Sequence, residues 1–396
     1  MTAASGQRTG RRGGPLLLTG RGSFAEVARV CAGRRILVVA GAGALRRAPV
    51  ADWLPPDAPT FSAFHPNPTV GQAVEAARLC RASGADLVVG IGGGSTLDVA
   101  KAARVLPADP AGADDVIAGR RPAPVDGPEL LLVPTTAGTG SEVTRFATLY
   151  RGHRKVSLDT PAALAETAVV DPELTETCPP ALTWTCAFDT LAHAVESLWS
   201  VRSTAESREL ATAALTDLLP VLRHAGTLPD PAGRDALSRA ATLAGQAIDI
   251  TRTTAAHALS YPLTAHLGIP HGLACALNLS WLAPLVETAE PDRVTDARGP
   301  AAVREAVATL RRLFGADAAG TDLAGALRQL LDLRAARPYG TSRDTPLDPL
   351  VAEGMSSNRM TGTPVRLDRD QVRAGLESIL CTDVRGKRGS TCATTG

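Results

Sequence analysis

The chain has 396 residues, 44% hydrophobic and 3% aromatic, with 41 basic against 40 acidic side chains and a formal net charge of +1. That balance excludes the strongly basic surface of a nucleic-acid binder, and no apolar run reaches the ~18 residues of a membrane-spanning helix. At roughly 150 residues per domain the length suits two domains with real cores, and the early apolar stretch Leu16 to Leu18 falls short of the roughly 7–15 residues of a secretory signal, so the expected address is cytoplasmic.

The first dozen residues are polar and Gly-rich and are expected to be disordered. RRILVVAG (34–41) and ADLVVGIGGG (85–94) are continuous apolar runs ending in glycine, as expected of strands buried on both faces of a parallel sheet. Between them, PTVGQAVEAARLCRASG (68–84) has apolar residues at helical spacing and a glycine stop, giving a β-α-β parse. PELLLVPTTAGTGSE (128–142) adds a strand and a loop rich in hydroxyls. Residues 1–172 thus predict an α/β dinucleotide-binding domain with a mostly parallel sheet.

Beyond Asp171 and Pro172 the β-branched runs vanish and Ala/Leu/Arg patterns dominate, predicting an all-α second domain over 173–380. Helices are expected at 181–200, 205–224, 233–260, 271–287, 300–315, 322–334 and 369–380, with loops at 225–232, 261–272 and 336–349. The tail 381–396 is expected to be disordered. The seven cysteines are scattered and form no C-x-x-C pair, so they read as reduced, mostly buried thiols and no thiolate metal site is expected.

Gly92-Gly93-Gly94-Ser95 follows a strand and opens a helix, where backbone N–H groups and the helix dipole favour an anion; a tight turn is the plainer alternative. Thr135-Thr136-Ala137-Gly138-Thr139-Gly140-Ser141 also follows a strand and would meet the first loop at the carboxyl edge of one sheet, where open α/β sheets bind ligands. Asp189 and His193 are four apart, on one helix face. A mutual hydrogen bond explains that pair alone. His257 and His271 also sit among apolar neighbours, and one Asp with three His suits Fe²⁺ or Zn²⁺ with room for a substrate oxygen.

Together HPNPTV (65–70), GIGGGSTLDVAKA (90–102), PTTAGTGSEVT (134–144), VVDPEL (169–174), FDTLAHAVES (188–197) and HALSYPLTAHLGIPHG (257–272) resemble the iron-dependent, or group III, alcohol dehydrogenases. The resemblance implies a nucleotide-binding α/β domain joined to a helical metal domain, the architecture also of dehydroquinate synthase. It implies Asp189, His193, His257 and His271 as metal ligands, for Fe²⁺ or Zn²⁺. Asn67, Gly93, Gly94, Ser95, Asp98, Thr135, Thr136, Thr139, Ser141 and Lys155 would line NADH or NADPH. It further implies a homodimer or larger assembly. Two positions depart from the family pattern. Tyr261 stands where a second histidine is common, leaving a tyrosyl hydroxyl or water as proton relay, and Gly41 stands where many NAD-preferring members carry Asp, with Arg46 and Arg47 nearby to accommodate NADPH.

The implied activity is reduction of an aldehyde to a primary alcohol. The segments 257–272 and 142–159 look most like the branch that reduces phosphonoacetaldehyde to 2-hydroxyethylphosphonate in phosphonate biosynthesis. Arg145, Arg151 and, further on, Arg359 are candidate contacts for the substrate anion, although a solvated basic hairpin explains 145–155 equally well. The alternatives are a relative acting on lactaldehyde, a diol or a butanal-like aldehyde, a dehydroquinate-synthase-like lyase, and a non-catalytic binding protein. Lys101, Lys155 and Lys387 are the chain's three lysines, and the first two, lying in the nucleotide-binding stretches, are expected beside a phosphate or ribose.

Overall fold

The structure, a computed structural model, describes residues 7–9, 13–124, 126–152, 154–224, 228–333 and 346–380. Strands β1 (Gln7–Thr9), β2 (Leu16–Thr19), β3 (Ile36–Ala40), β4 (Thr60–Phe61), β5 (Leu87–Gly92) and β6 (Glu129–Pro134) precede a hairpin, β7 (Phe146–Arg151) and β8 (Arg154–Asp159), and a last strand, β9 (Thr167–Val170). A seven-stranded sheet runs β1-β2-β9-β6-β5-β3-β4, antiparallel at β1/β2 and parallel elsewhere. Residues 7–9, expected to lack order, are thus its edge strand, while the rest of 1–12 and the whole of 381–396 lie outside the described residues.

The central strands read as unbroken apolar runs because both faces are covered. Ile36, Val38 and Ala40 of β3 pack on one side with the layer of α1 (Glu26–Cys31), α2 (Ala42–Leu45) and α3 (Ala48–Trp53). Leu37 and Val39 pack on the other with α4 (Val70–Ser83) and α5 (Gly94–Val105), as the two-residue strand period requires. A capping box between Thr69 and Gln72 starts α4, and Gly84, at φ 60°, ends it. The short α6 (Pro110–Ile117) packs outside α4.

Lys101, on α5, is not beside the nucleotide loops' surface, which corrects the expectation for it. Its side chain is wholly buried, and Nζ donates to Ser141 Oγ (2.8 Å), Thr144 Oγ1 (3.0 Å) and the Phe146 carbonyl (2.8 Å). All three donors of the ammonium are satisfied, so it pins the loop after β6 to α5. Burial pushes its pKa down to about 8 against the pull of nearby Asp98 and Glu142. Lys101→Met keeps the stem but leaves buried acceptors unpaired, and should cost about 3 kcal/mol in a denaturant titration; a loss below about 1 kcal/mol would show that the three bonds contribute little.

The second half contains α7 (Pro180–Trp199), α8 (Ala205–Arg223), α9 (Pro231–Thr251), α10 (Ala255–Leu267), α11 (His271–Glu287), α12 (Pro300–Phe314), α13 (Leu323–Leu333), α14 (Leu347–Met355) and α15 (Arg369–Leu380) around one apolar core. The single helix expected over 233–260 is in fact two. Arg252 adopts φ 60°, ψ 176°, a backbone region nearly reserved for glycine. Its guanidinium holds that break by donating to Asp159 at 3.0 and 2.8 Å. The following helix, α10, then runs through Tyr261 to Leu267, where a loop was expected, and α14 begins within the expected loop 336–349. The two halves touch closely: a Cβ on Gly140, itself at φ 60°, would lie 2.5 Å from Gly245 Cα of α9. No helix among the described residues is long and apolar enough to cross a membrane.

Candidate active site

Because β5 and β6 are parallel neighbours, the loops that follow them emerge side by side, facing the start of the helical half. Between them and α7, α10 and α11 lies a cleft of about 680 Å³. All ten residues expected along the nucleotide border it, as do Gly41 and Arg47, whereas Arg46 does not. A Cβ on Gly94 would come within 2.7 Å of Thr139, so this glycine is required for one loop to pack on the other. Gly93 caps α5 with no side-chain acceptor, leaving the first N–H groups of that helix for an anion, as a pyrophosphate requires. Asp98 and Ser141 also serve the protein itself: the Ser141 hydroxyl donates to Asp98 Oδ1 (2.8 Å), and Thr148 N to Oδ2 (3.0 Å).

The opposite wall carries the four expected metal ligands. Asp189 Oδ1 lies 3.7 Å from His193 Nε2, 3.3 Å from His257 Nε2 and 3.8 Å from His271 Nε2. Ligands about 2.1 Å from one ion at tetrahedral angles would be about 3.4 Å apart. Asp189 Oδ1 and His257 Nε2 are buried without a hydrogen-bond partner. A cation satisfies both, so these residues fit a divalent metal. Burial pushes His193 down to about 4 and His271 to about 3, keeping both neutral, as ligands must be. Burial opposes charge on Asp189, yet the surrounding imidazoles outweigh it and hold its carboxyl well below the usual range.

Two parts of this centre were not anticipated. Glu196, fully buried, hydrogen-bonds His257 Nδ1 and accepts from Thr254 Oγ1 (2.6 Å) and Ala256 N (2.8 Å). That bond turns His257 Nε2 toward Asp189. The signal was present, since 189, 193 and 196 follow the i, i+4, i+7 spacing of one helix face. The other is Cys275, one turn beyond His271 on α11, with Sγ 3.9 Å from His271 Nε2. Gly272 makes room for the whole arrangement: a Cβ there would sit 2.0 Å from the Thr185 carbonyl and 2.8 Å from Asp189 N. Gly272→Ala should therefore push α11 off α7, lowering stability by about 3 kcal/mol and metal affinity at least about tenfold, as read by denaturation and chelator competition; unchanged metal affinity would contradict the role given to this contact.

The hairpin divides the basic segment by strand alternation. Phe146, Thr148 and Tyr150 border the cleft while Ala147 and Leu149 enter the core, and Lys155, paired with Tyr150, also reaches the cleft. Arg145 and Arg151 do not, which corrects their candidacy as substrate contacts. Arg145 is clamped on Asp249 (2.6 Å) and Arg151 on Asp114. Arg359, from a 3-10 turn over Asn358–Gly362, does border the cleft, 5.7 Å over the Phe146 ring, with its NH2 group 3.5 Å from Ser157 Oγ. Lys155 Nζ stands 3.7 Å over the ring of Tyr261, which stacks on His271 at 5.9 Å. Burial opposes ionisation of Tyr261, but Lys155, His257 and Arg359 draw its pKa below the phenol value. Exposed His65 also borders the cleft.

Family models described as iron-containing alcohol dehydrogenase and as Fe-containing alcohol dehydrogenase family, C-terminal, match residues 15–172 and 183–380. The chain is 38% identical over 371 residues to the phosphonoacetaldehyde reductase of Streptomyces viridochromogenes, covering 88% of this chain and 92% of that one. It is 35% identical over 234 residues to long-chain-alcohol dehydrogenase 1 of Geobacillus thermodenitrificans, covering 58% and 59%. Among solved structures it is similar to the sulfoacetaldehyde reductase of Bifidobacterium kashiwanohense in complex with NAD⁺, with a TM-score of 0.78, 25% identity and coverage of 95% and 100%.

Proposed function

Since this chain belongs to the iron-containing alcohol dehydrogenase family, we propose that it reduces a small anionic aldehyde with NADH or NADPH, its substrate being phosphonoacetaldehyde and its product 2-hydroxyethylphosphonate. The observation that carries this reading is the pairing of the Asp189–His193–His257–His271 cluster with two cations, Lys155 and Arg359, on one cleft. Lys155 Nζ lies over the Tyr261 ring and Arg359 lies 3.5 Å from Ser157 Oγ, and neither contact neutralises the cation, which leaves its charge for a ligand. The likeness to reductases of phosphonate- and sulfonate-bearing aldehydes supports the same substrate class.

A divalent ion held by the cluster supplies Lewis acidity toward a carbonyl oxygen, and a reduced nicotinamide supplies hydride. Glu196 orients His257, and neutral His193 and His271 offer lone pairs. The start of α5 and the 135–141 loop hold the nucleotide phosphates. Arg359 binds the phosphonate, with Lys155 beside it. Tyr261, made more acidic by the cations around it, delivers the proton to the product oxygen. Gly41 places no carboxylate at the end of β3, and a Cβ there would have only Thr96 nearby, at 3.8 Å, so a 2′-phosphate meets no repulsion. A homodimer or larger assembly belongs to the same reading and is checked by sedimentation.

Steady-state kinetics test the substrate. With either nucleotide, kcat/KM for phosphonoacetaldehyde should exceed that for propanal by at least about 100-fold, the value of roughly 3 kcal/mol of charge-assisted binding. Equal values would favour an uncharged substrate, the second reading, which the likeness to a long-chain-alcohol dehydrogenase supports. Net consumption of NADH or NADPH in the same assay separates both from a lyase.

A further inference from the structure

We propose that Cys275 is a ligand, through sulfur, to the ion held by Asp189, His257 and His271, taking the place that the His193 nitrogen otherwise fills, and that it biases the centre toward Zn²⁺ over Fe²⁺. The proposal rests on the metal centre described above but not on the identity of the aldehyde. Cys275 is wholly buried, and its sulfur lies 3.9 Å from His271 Nε2 and 4.0 Å from Nδ1. Ligand atoms of Asp189, His257, His271 and Cys275 all lie within 4.8 Å of one another. With a metal–sulfur bond of about 2.3 Å and a metal–nitrogen bond of about 2.1 Å, S and N on one ion stand between about 3.6 Å, at tetrahedral angles, and about 4.4 Å, when opposed. The observed 3.9 Å falls inside that range.

Two further observations point at a ligand here rather than at a thiol filling space. Asp189 Oδ1 and His257 Nε2, members of the same cluster, are buried atoms without a hydrogen-bond partner. Cys275 also follows His271 by one helical turn on α11, the helix that Gly272 brings against α7, so both side chains project from one face toward Asp189. The centre therefore offers two overlapping sets sharing Asp189, His257 and His271: one completed by the His193 nitrogen, the other by sulfur. On coordination the thiol proton passes to water and a sulfur lone pair forms the bond, with no change of oxidation state. Sulfur is a soft donor and Zn²⁺ binds such mixed sites more tightly than Fe²⁺.

Cobalt reads the sulfur directly. The metal-free full-length chain, titrated with Co²⁺, should develop visible d–d bands from the centre and a near-ultraviolet sulfur-to-cobalt charge-transfer band. Cys275→Ala should lose the charge-transfer band and keep the d–d bands, which shows that the remaining ligands still form. Its preference for Zn²⁺ over Fe²⁺, measured by chelator competition, should fall at least about tenfold. Visible bands without the charge-transfer band in the wild type would overturn the proposal while leaving the metal centre intact. A charge-transfer band that survives in Cys275→Ala would also overturn it. Absence of any cobalt band would remove the metal centre itself and this inference with it.

Discussion

Exchanging His257 for alanine should abolish metal retention and lower kcat by about three orders of magnitude, while nucleotide affinity stays within about twofold. His257 stands between Asp189 and Glu196, and its Nε2 is a buried atom without a partner that a metal would satisfy. Polarisation of a carbonyl by a metal is worth several kcal/mol, and about 4 kcal/mol corresponds to about 10³ in rate. The start of α5 and the 135–141 loop lie in the other half of the molecule and keep their contacts with each other. Metal content by atomic emission, single-turnover rates and nucleotide fluorescence titration check the three parts. Wild-type-like turnover in the variant after exhaustive chelation would remove the metal from the reaction.

Arg359→Leu should lower kcat/KM for phosphonoacetaldehyde by about 100-fold and leave that for propanal within about threefold. Its guanidinium lies over Phe146 at the cleft, and Leu keeps much of the apolar stem while deleting the fork of donors. A pair of charge-assisted bonds to a phosphonate, at about 1.5 kcal/mol each, accounts for the expected factor. Equal losses for the charged and the uncharged aldehyde would mean that Arg359 shapes the cleft rather than binding an anion. The clamped residues give a control: Arg151→Leu removes a charge whose partner is Asp114, outside the cleft, and should leave the ratio of the two substrates unchanged.

The contrast between these arginines shows where sequence reasoning runs out. Read along the chain, Arg145, Arg151, Arg154 and Lys155 form one basic cluster. Folded into β7 and β8, they are sorted by strand period and by the carboxylates that α6 and α9 bring beside them, so Lys155 alone of these four borders the cleft. The two lysines separate in the same way. Lys101 and Lys155 each sit in a stretch expected to bind nucleotide, yet Lys101 faces into the seam between α5 and the loop after β6.

Other features were legible because they are local. Apolar strand runs ending in glycine, the helical spacing of 68–84 and the Asp189–His193 interval follow from backbone period and side-chain chemistry within a few residues. The α/β sheet followed by helices emerged from such signals, and so did Asp189 and the three histidines that the structure gathers around its Oδ1. The break at Arg252 escaped them because it depends on Asp159, 93 residues away.

The sequence by itself therefore determined the two kinds of architecture, the glycine- and hydroxyl-rich loops at the sheet edge, and the identity of four side chains, Asp189, His193, His257 and His271, that come together in the fold. Tertiary structure decided the rest: that Glu196 backs His257, that Cys275 joins the cluster, that Gly272 admits α11 against α7, and that Arg359 and not Arg145 faces the cleft. The physical reason is range. Periodicity and capping act over a few bonds along the chain, whereas the charge state of a buried group, and the partner that satisfies it, depend on atoms brought within a few ångströms by packing between distant segments.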